Sequence, residues 1–315
     1  KMSNRLLVVG TMAYDSIETP YGKAENVLGG AAIYIGLAAS NFRTNIGIVS
    51  VIGEDFNSEH IELITKRKID LTGVEEIKGG KTFFWKGRYH ENLNIRDTIE
   101  TKLNVLENFV PKVPLDWKTP KILLLGNLHP EVQLSALNQM NERPELIILD
   151  SMNFWIDNFR ETLDKVINRV DVLCINDEEA LELTKQKTLI GAANEIQKYG
   201  PKYVIIKKGE HGAMLFNKEN IFFAPAFPVK SIKDPTGAGD CFVGSFAGYL
   251  MKINNFSFEK MKVGLIYASA LASFSVEEFG TQALQSLSKN KIHNRINYLK
   301  DLTSFDSKLI NFDIL

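Results

Sequence analysis

Cysteine is scarce in this chain: 315 residues hold two, Cys174 and Cys241, far apart and in apolar neighbourhoods. That excludes a secreted disulfide scaffold, and no CxxC spacing offers a zinc site. An excess of one charge is lacking too, since 37 Lys and Arg face 38 Asp and Glu. A net charge of -1 leaves no basic face for nucleic acid and no acidic tail for a basic partner. No apolar run approaches the roughly 20 residues of a membrane span. The first such run, residues 6–9, is too short for a signal-peptide core and has no small-residue cleavage site behind it. The expectation is a soluble, cytoplasmic protein with no membrane partner. What is present is an ordinary globular balance, 44% hydrophobic and 24% charged, with enough length to bury a core without staples.

Short runs rich in Val, Ile and Leu at residues 6–9, 46–51, 122–125, 146–149, 172–175 and 204–206 read as strands covered on both faces. Amphipathic stretches at 30–42, 57–66, 130–140, 176–184 and 189–199 read as helices between them. This alternation predicts an α/β fold, a mostly parallel sheet with helices on both faces. Two segments, about 12–28 and 79–103, break the rhythm with partly alternating Thr, Tyr, Phe and Trp. They read as antiparallel excursions forming a small β lid on one large domain that spans 1–315. From Gly237 onward the chain turns mainly helical.

The most informative segment runs Asp234, Pro235, Thr236, Gly237, Ala238, Gly239, Asp240. Pro and two Gly forbid a strand and favour a tight turn, while Phe242, Phe246, Tyr249, Leu250 and Ile253 recur at helical spacing beyond it. A helix opening from such a turn presents unpaired N–H groups and a positive dipole end, an anion site. Asp in a first helical turn ordinarily just offsets the dipole. Beside an anion site, though, a carboxylate is poised to accept a proton from a hydroxyl while the amides hold phosphoryl charge. Gly244 and Gly248 lie one turn apart, which predicts close packing of another element against this helix.

This segment, with Cys241 and Phe242 following, resembles the C-terminal signature of the ribokinase-like (PfkB) carbohydrate kinases. The resemblance implies a three-layer αβα domain and a phosphotransferase with an alcohol acceptor, with ATP and Mg2+ as co-substrate and cofactor. It implies Asp240 as catalytic base and Gly237, Ala238 and Gly239 as anion hole, with Thr236 on the nucleotide side. Gly29 and Gly30 are similar to the family's N-terminal Gly-Gly motif, and Asp15 falls where the family places an acid that binds substrate hydroxyls. Asn176 and Glu179 fit the Asn-x-x-Glu motif, implied to organise Mg2+ through water; a plain helix start would look the same. Gly209 and Gly212 resemble the nucleotide-side loop. The adjoining Lys207 and Lys208 are left outside the site, because paired lysines are commonly solvated. Asp234 is a candidate for a monovalent cation such as K+. Tyr34 departs from the Asn common at that position, so it is taken as a substrate contact of altered chemistry. Arg88, with Tyr89 and Asn94, is a candidate substrate reader from the lid. The substrate is expected to be a sugar or a nucleoside, and a homodimer through the lid would hide residues 82–85 at an exposed sheet edge.

Other chemistries fit poorly. Gly79-Gly80-Lys81-Thr82 is no phosphate loop, because Glu75 stands where Gly is required and a strand-like run follows. Gly10 is alone after the first strand, against a dinucleotide fold. The five histidines lack ligand spacing. Cys241 reads as a packing residue. A catalytically silent ligand sensor on the same fold is the rival of another class.

Overall fold

The computed structural model describes residues 3–304. In chain order the strands are β1 (Ser3–Val9), β2 (Ala13–Thr19), β3 (Gly22–Gly29), β4 (Asn45–Gly53), β5 (Ile69–Ile77), β6 (Phe83–Tyr89), β7 (Arg96–Lys102), β8 (Pro120–Leu125), β9 (Leu146–Asp150), β10 (Val172–Asn176), β11 (Tyr203–Lys207), β12 (Ala213–Phe216) and β13 (Ile221–Ala224). The helices are α1 (Ala31–Ser40), α2 (Ser58–Lys66), α3 (Pro130–Asn138), α4 (Asn153–Asn158), α5 (Arg160–Ile167), α6 (Asp177–Thr184), α7 (Leu189–Lys198), α8 (Ala238–Ile253), α9 (Phe258–Ser275), α10 (Gln282–Gln285) and α11 (Lys289–Thr303).

Among the described residues one sheet has nine strands in the order β13-β12-β11-β10-β9-β8-β1-β4-β5. It is parallel from β11 to β5, and the β12–β13 hairpin closes one edge antiparallel. The continuous apolar runs follow from burial on both faces. In β1, Leu6 and Val8 point into the layer that holds α1, α8 and α9. Leu7 and Val9 point into the opposite layer, with α3, α5, α6 and α7. The three-layer αβα architecture is therefore as the resemblance implies.

Helix α1 is buried almost all round, because α8 lies across it. Gly244 and Gly248 make that contact. A Cβ on Gly244 would stand 2.5 Å from the Ile35 carbonyl oxygen, and one on Gly248 2.8 Å from the Ala39 Cα. The close packing read from their spacing is real, and α1 is the partner.

The lid is a separate four-stranded sheet in the order β3-β2-β6-β7. Each excursion is an antiparallel hairpin, as expected, but the two hairpins join through a parallel β2–β6 pair. This corrects the edge assignment: residues 82–85 are not a free edge. Strand β6 is interior, and Thr82 is buried, its hydroxyl bonded to Asp55 and to the Gly53 amide. The edges are β3 and β7, and β7 is exposed along its whole length.

Candidate active site

Parallel strands deliver their C-terminal ends to one side of the sheet, where β9 ends in Asp150, β10 in Asn176 and β11 in Lys207. The start of α8 opens onto that side. Gly237 caps the helix with φ of 74°, a left-handed conformation that favours glycine. Asp234 sets up the turn: one carboxylate oxygen accepts the Thr236 amide at 2.9 Å and the other the Gly280 amide at 2.8 Å. Asp234 is fully buried, and burial raises its pKa. Ala238 and Cys241 spend their amides on local carbonyls. The amides of Gly237, Gly239 and Asp240 have no partner among the described residues, which is what an anion hole requires.

Asp240 sits in this first turn and is half-buried. Burial, and then the nearby charge of Asp150, push its pKa up to about 7, against the pull of Lys207 and Arg96. The thiol of the next residue, Cys241, is enclosed and pushed up to about 12, as suits a packing residue.

Asp15 comes from β2, on the lid, and is 4% exposed. Its carboxylate fills the space over Gly29, where a Cβ would lie 2.0 Å from Oδ2, and it accepts the Gly30 amide. Burial, Asp234 and Asp240 together raise its pKa to about 8. Gly30, at φ of 94°, approaches Thr11 so closely that a Cβ would stand 2.5 Å from the Thr11 carbonyl oxygen. Thr11 in turn caps α1, accepting the Ala31 amide on its hydroxyl and the Ala32 amide on its carbonyl, each at 2.9 Å.

Tyr34, from α1, is 1% exposed. Its ring lies against Gly237, within 2.5 Å of where a Cβ would be. The Tyr34 hydroxyl is buried without a hydrogen-bond partner, in the field of Asp15, Asp234, Tyr89 and Asp240. An orphaned donor in such a place costs stability unless a ligand meets it.

Asn176 and Glu179 form a reciprocal capping box on α6: the Glu179 amide donates to Asn176 Oδ1 at 2.7 Å, and the Asn176 amide to Glu179 Oε2 at 2.9 Å. The plain helix-start reading is thus met in full, and it engages one Glu179 oxygen. The Glu179 carboxyl is nevertheless buried, with its pKa raised to about 7, in the field of Lys207 and Asp150. Gly209, at φ of 53°, and Gly212, at 86°, turn β11 into β12.

The lid meets this floor. The Tyr89 and Thr236 hydroxyls are 3.0 Å apart, and the Arg96 guanidinium lies beside Tyr89 and over the Trp85 ring. Asn94 Oδ1 is 3.5 Å from where a Cβ on Gly209 would be. Tyr89 and Asn94 are therefore brought to the cleft. Arg88 is not: side chains alternate along β6, so it faces away from Tyr89 and pairs with Glu18 Oε2 at 3.4 Å on the outer lid surface. Arg96, across the hairpin, supplies the cleft-facing cation that the sequence reading missed. Lys207 is the other miss. It is 17% exposed and bonds Asp150 Oδ1 at 2.9 Å; only Lys208 extends outward, over Phe223.

The sequence pattern of the pfkB family carbohydrate kinase matches residues 3–288. The chain belongs to that family. A pfkB member is a kinase, a phosphotransferase that delivers to an alcohol. A cytidine kinase of Thermococcus kodakarensis is 30% identical over 250 residues, 78% of this chain and 88% of its own. Two solved structures share the fold. A Methanocaldococcus jannaschii nucleoside kinase aligns with a TM-score of 0.76 at 18% identity, covering 94% of this chain and 99% of its own. An aminoimidazole riboside kinase from Salmonella enterica, solved with its riboside and an ATP analogue, aligns at 0.73 and 17% identity over 93% of this chain and 99% of its own. No helix among the described residues is long and apolar enough to cross a membrane.

Proposed function

We propose that this pfkB kinase transfers the γ-phosphoryl group of ATP to a hydroxymethyl group of a sugar-like substrate, in the cytoplasm. One observation carries the reading: a half-buried carboxylate stands in the same helical turn as three unpartnered amides. Asp15 meets substrate hydroxyls, its protonated carboxyl able to accept on one oxygen and donate from the other. Gly29 and Gly30 leave room for the Asp15 carboxylate and the Thr11 carbonyl and so set Asp15 in place, and the Tyr34 hydroxyl supplies the remaining donor. The acceptor oxygen attacks the γ-phosphorus, its proton passes to Asp240, and the free amides of Gly237, Gly239 and Asp240 hold the phosphoryl charge; Ala238, expected among them, spends its amide on the Pro235 carbonyl. Gly209, Gly212 and Thr236 lie along the nucleotide. The lid shuts out water, which would otherwise compete as acceptor.

For Mg2+ the donor chemistry fits. Glu179 offers a hard oxygen from the first turn of α6, since only its Oε2 is engaged in the capping box, and Asn176 holds the motif in place. Among the described residues no cluster of three ligating side chains forms a cage, which suits an ion carried on phosphates and reached through water. Bound there, Mg2+ would neutralise charge on the nucleotide phosphates. Asp234 is the candidate for a monovalent cation: a fully buried carboxylate held by the Thr236 and Gly280 amides and the Thr236 hydroxyl, with no cationic side chain bonded to it among the described residues, favours a compensating K+. Pairing of two copies through the exposed β7 edge, with Ile99 exposed on it, completes the reading, and a monomeric mass by light scattering would remove that part.

The rival substrate class is a nucleoside. The 30% identity to a cytidine kinase favours it, as does the aromatic Trp85 beneath Arg96 on the lid. A panel of sugars and nucleosides assayed for ADP release separates the two classes, and no release with any member would support the silent sensor. Asp240→Asn is expected to abolish turnover while calorimetry still shows nucleotide binding; retained turnover would refute the assignment of the base.

A further inference from the structure

Lys207 ends β11 on the same face as Tyr203 and Ile205, the face that packs on the α8 layer. Its ammonium therefore travels inward, not to solvent. It arrives 2.9 Å from Asp150 Oδ1 and 3.1 Å from where a Cβ on Gly239 would stand, at the lip of the unpartnered amides. The charged and titratable groups around it come from every neighbouring element: Asp150 on β9, Cys174 on β10, Glu179 on α6 and Asp240 on α8. Arg96 on β7 adds its field from the lid side of Asp240. Burying such a pair seldom adds stability over apolar packing, so its place beside a reaction centre asks for another reason.

Resting on the kinase reading, we infer that Lys207 is a further catalytic residue, leaving Asp150 to hold the γ-phosphoryl group against the amides of the α8 turn. Asp150 is its positioning residue, keeping the amine aimed at the turn between cycles. The absence of a side chain at Gly239 is what lets the amine reach the amides. Lys207 forms no covalent bond. The acceptor oxygen bonds to the γ-phosphorus as the bridge to the β-phosphate breaks, ADP leaves with that electron pair, and the proton goes to Asp240. The ammonium offsets charge that otherwise builds beside the Asp240 carboxylate.

Steady-state kinetics of Lys207→Gln, Lys207→Arg, Asp150→Asn and Lys208→Gln test this, using the full chain with ATP, Mg2+ and the best substrate of the panel. Lys207→Gln is expected to lose at least 100-fold in kcat with the KM of the alcohol changed less than threefold. Its acid limb of kcat should move above that of the unaltered enzyme, because Asp240 loses a stabilising cation. Lys207→Arg should recover part of the rate, and Asp150→Asn, which leaves the amine present but no longer aimed, should lose less than Lys207→Gln. Lys208→Gln should match the unaltered enzyme. A Lys207→Gln enzyme that folds by circular dichroism with kcat within threefold of the original overturns the inference. If the glutamine variant fails to fold, Lys207→Arg and Asp150→Asn decide: both inactive although folded would also overturn it. An active Asp240→Asn enzyme would bring down the underlying reading, whereas a dead Asp240→Asn beside an active Lys207→Gln would remove only the role of Lys207.

Discussion

Replacing Asp15 with Asn should stabilise the free enzyme while costing it substrate. The side chain is 4% exposed and shares its surroundings with Asp234 and Asp240, so ionising it inside the fold is unfavourable. Its pKa rises from 3.8 to about 8, so the folded state holds a proton that the unfolded chain gives up across that window. Native protein then binds more protons than unfolded protein, and stability falls as pH climbs from about 4 to about 8. At 1.36 kcal/mol per pKa unit the ceiling of that loss is roughly 6 kcal/mol above pH 8, and under about 2 kcal/mol at pH 5. Relaxation and water entry hold the realised figure to about 2–3 kcal/mol. Asn keeps the acceptor for the Gly30 amide and has no charge to bury. Thermal unfolding of the Asn variant is thus expected at a midpoint about 3–5 °C higher at pH 9, with the difference shrinking toward zero near pH 4. The same variant should lose most of its affinity for the alcohol substrate. An Asn variant less stable than the original at pH 9, or a difference that does not vary with pH, would refute the reasoning.

Turnover should fall about tenfold per pH unit below an acid-limb midpoint near 7, because Asp240 must be ionised to take the proton and its pKa is raised to about 7; a flat kcat between pH 5 and 8 would exclude it as base. Gly244→Ala should lower stability by about 2–3 kcal/mol, since its Cβ would meet the Ile35 carbonyl at 2.5 Å and backbone cannot swing aside. Denaturant unfolding measures this, and an unchanged midpoint would show that α1 and α8 can separate freely.

How far the molecule was legible from its residues depends on whether the signal was local. The inner strands β1, β4, β8, β9, β10 and β11 were plain because burial on both faces demands unbroken apolar runs. Edge strands escape that demand: β5 carries Asp70, Thr72, Glu75 and Glu76 at part-exposed or exposed positions, and the short β12–β13 hairpin looks like a loop. The α8 turn was legible because seven consecutive residues carry its geometry. Asp150 and Lys207 are 57 residues apart in sequence, and only the parallel order β9-β10-β11 brings them together. Lys207 still left a trace, since Tyr203, Ile205 and Lys207 share a strand face that was apolar until its last position. Arg88 and Arg96 could not be told apart by composition. The register Tyr89↔Arg96 and the pairing Glu18↔Arg88 decide which one looks into the cleft.

That cleft concentrates charge the fold would be more stable without. Asp15, Asp150, Glu179, Asp234 and Asp240 converge where Lys207 and Arg96 are the balancing side chains, and three of the acids, Asp15, Glu179 and Asp240, are raised to about 7 or 8. Burial is the largest cause in each case, so the strain is electrostatic rather than steric. A substrate hydroxyl on Asp15, a cation near Glu179 and a phosphoryl group facing Lys207 would each meet a group left short of partners. The energy withheld from folding is then released on binding, at the atoms where the reaction occurs. The same logic accounts for the unpartnered Tyr34 hydroxyl, a donor the protein buries without satisfying and a ligand can complete.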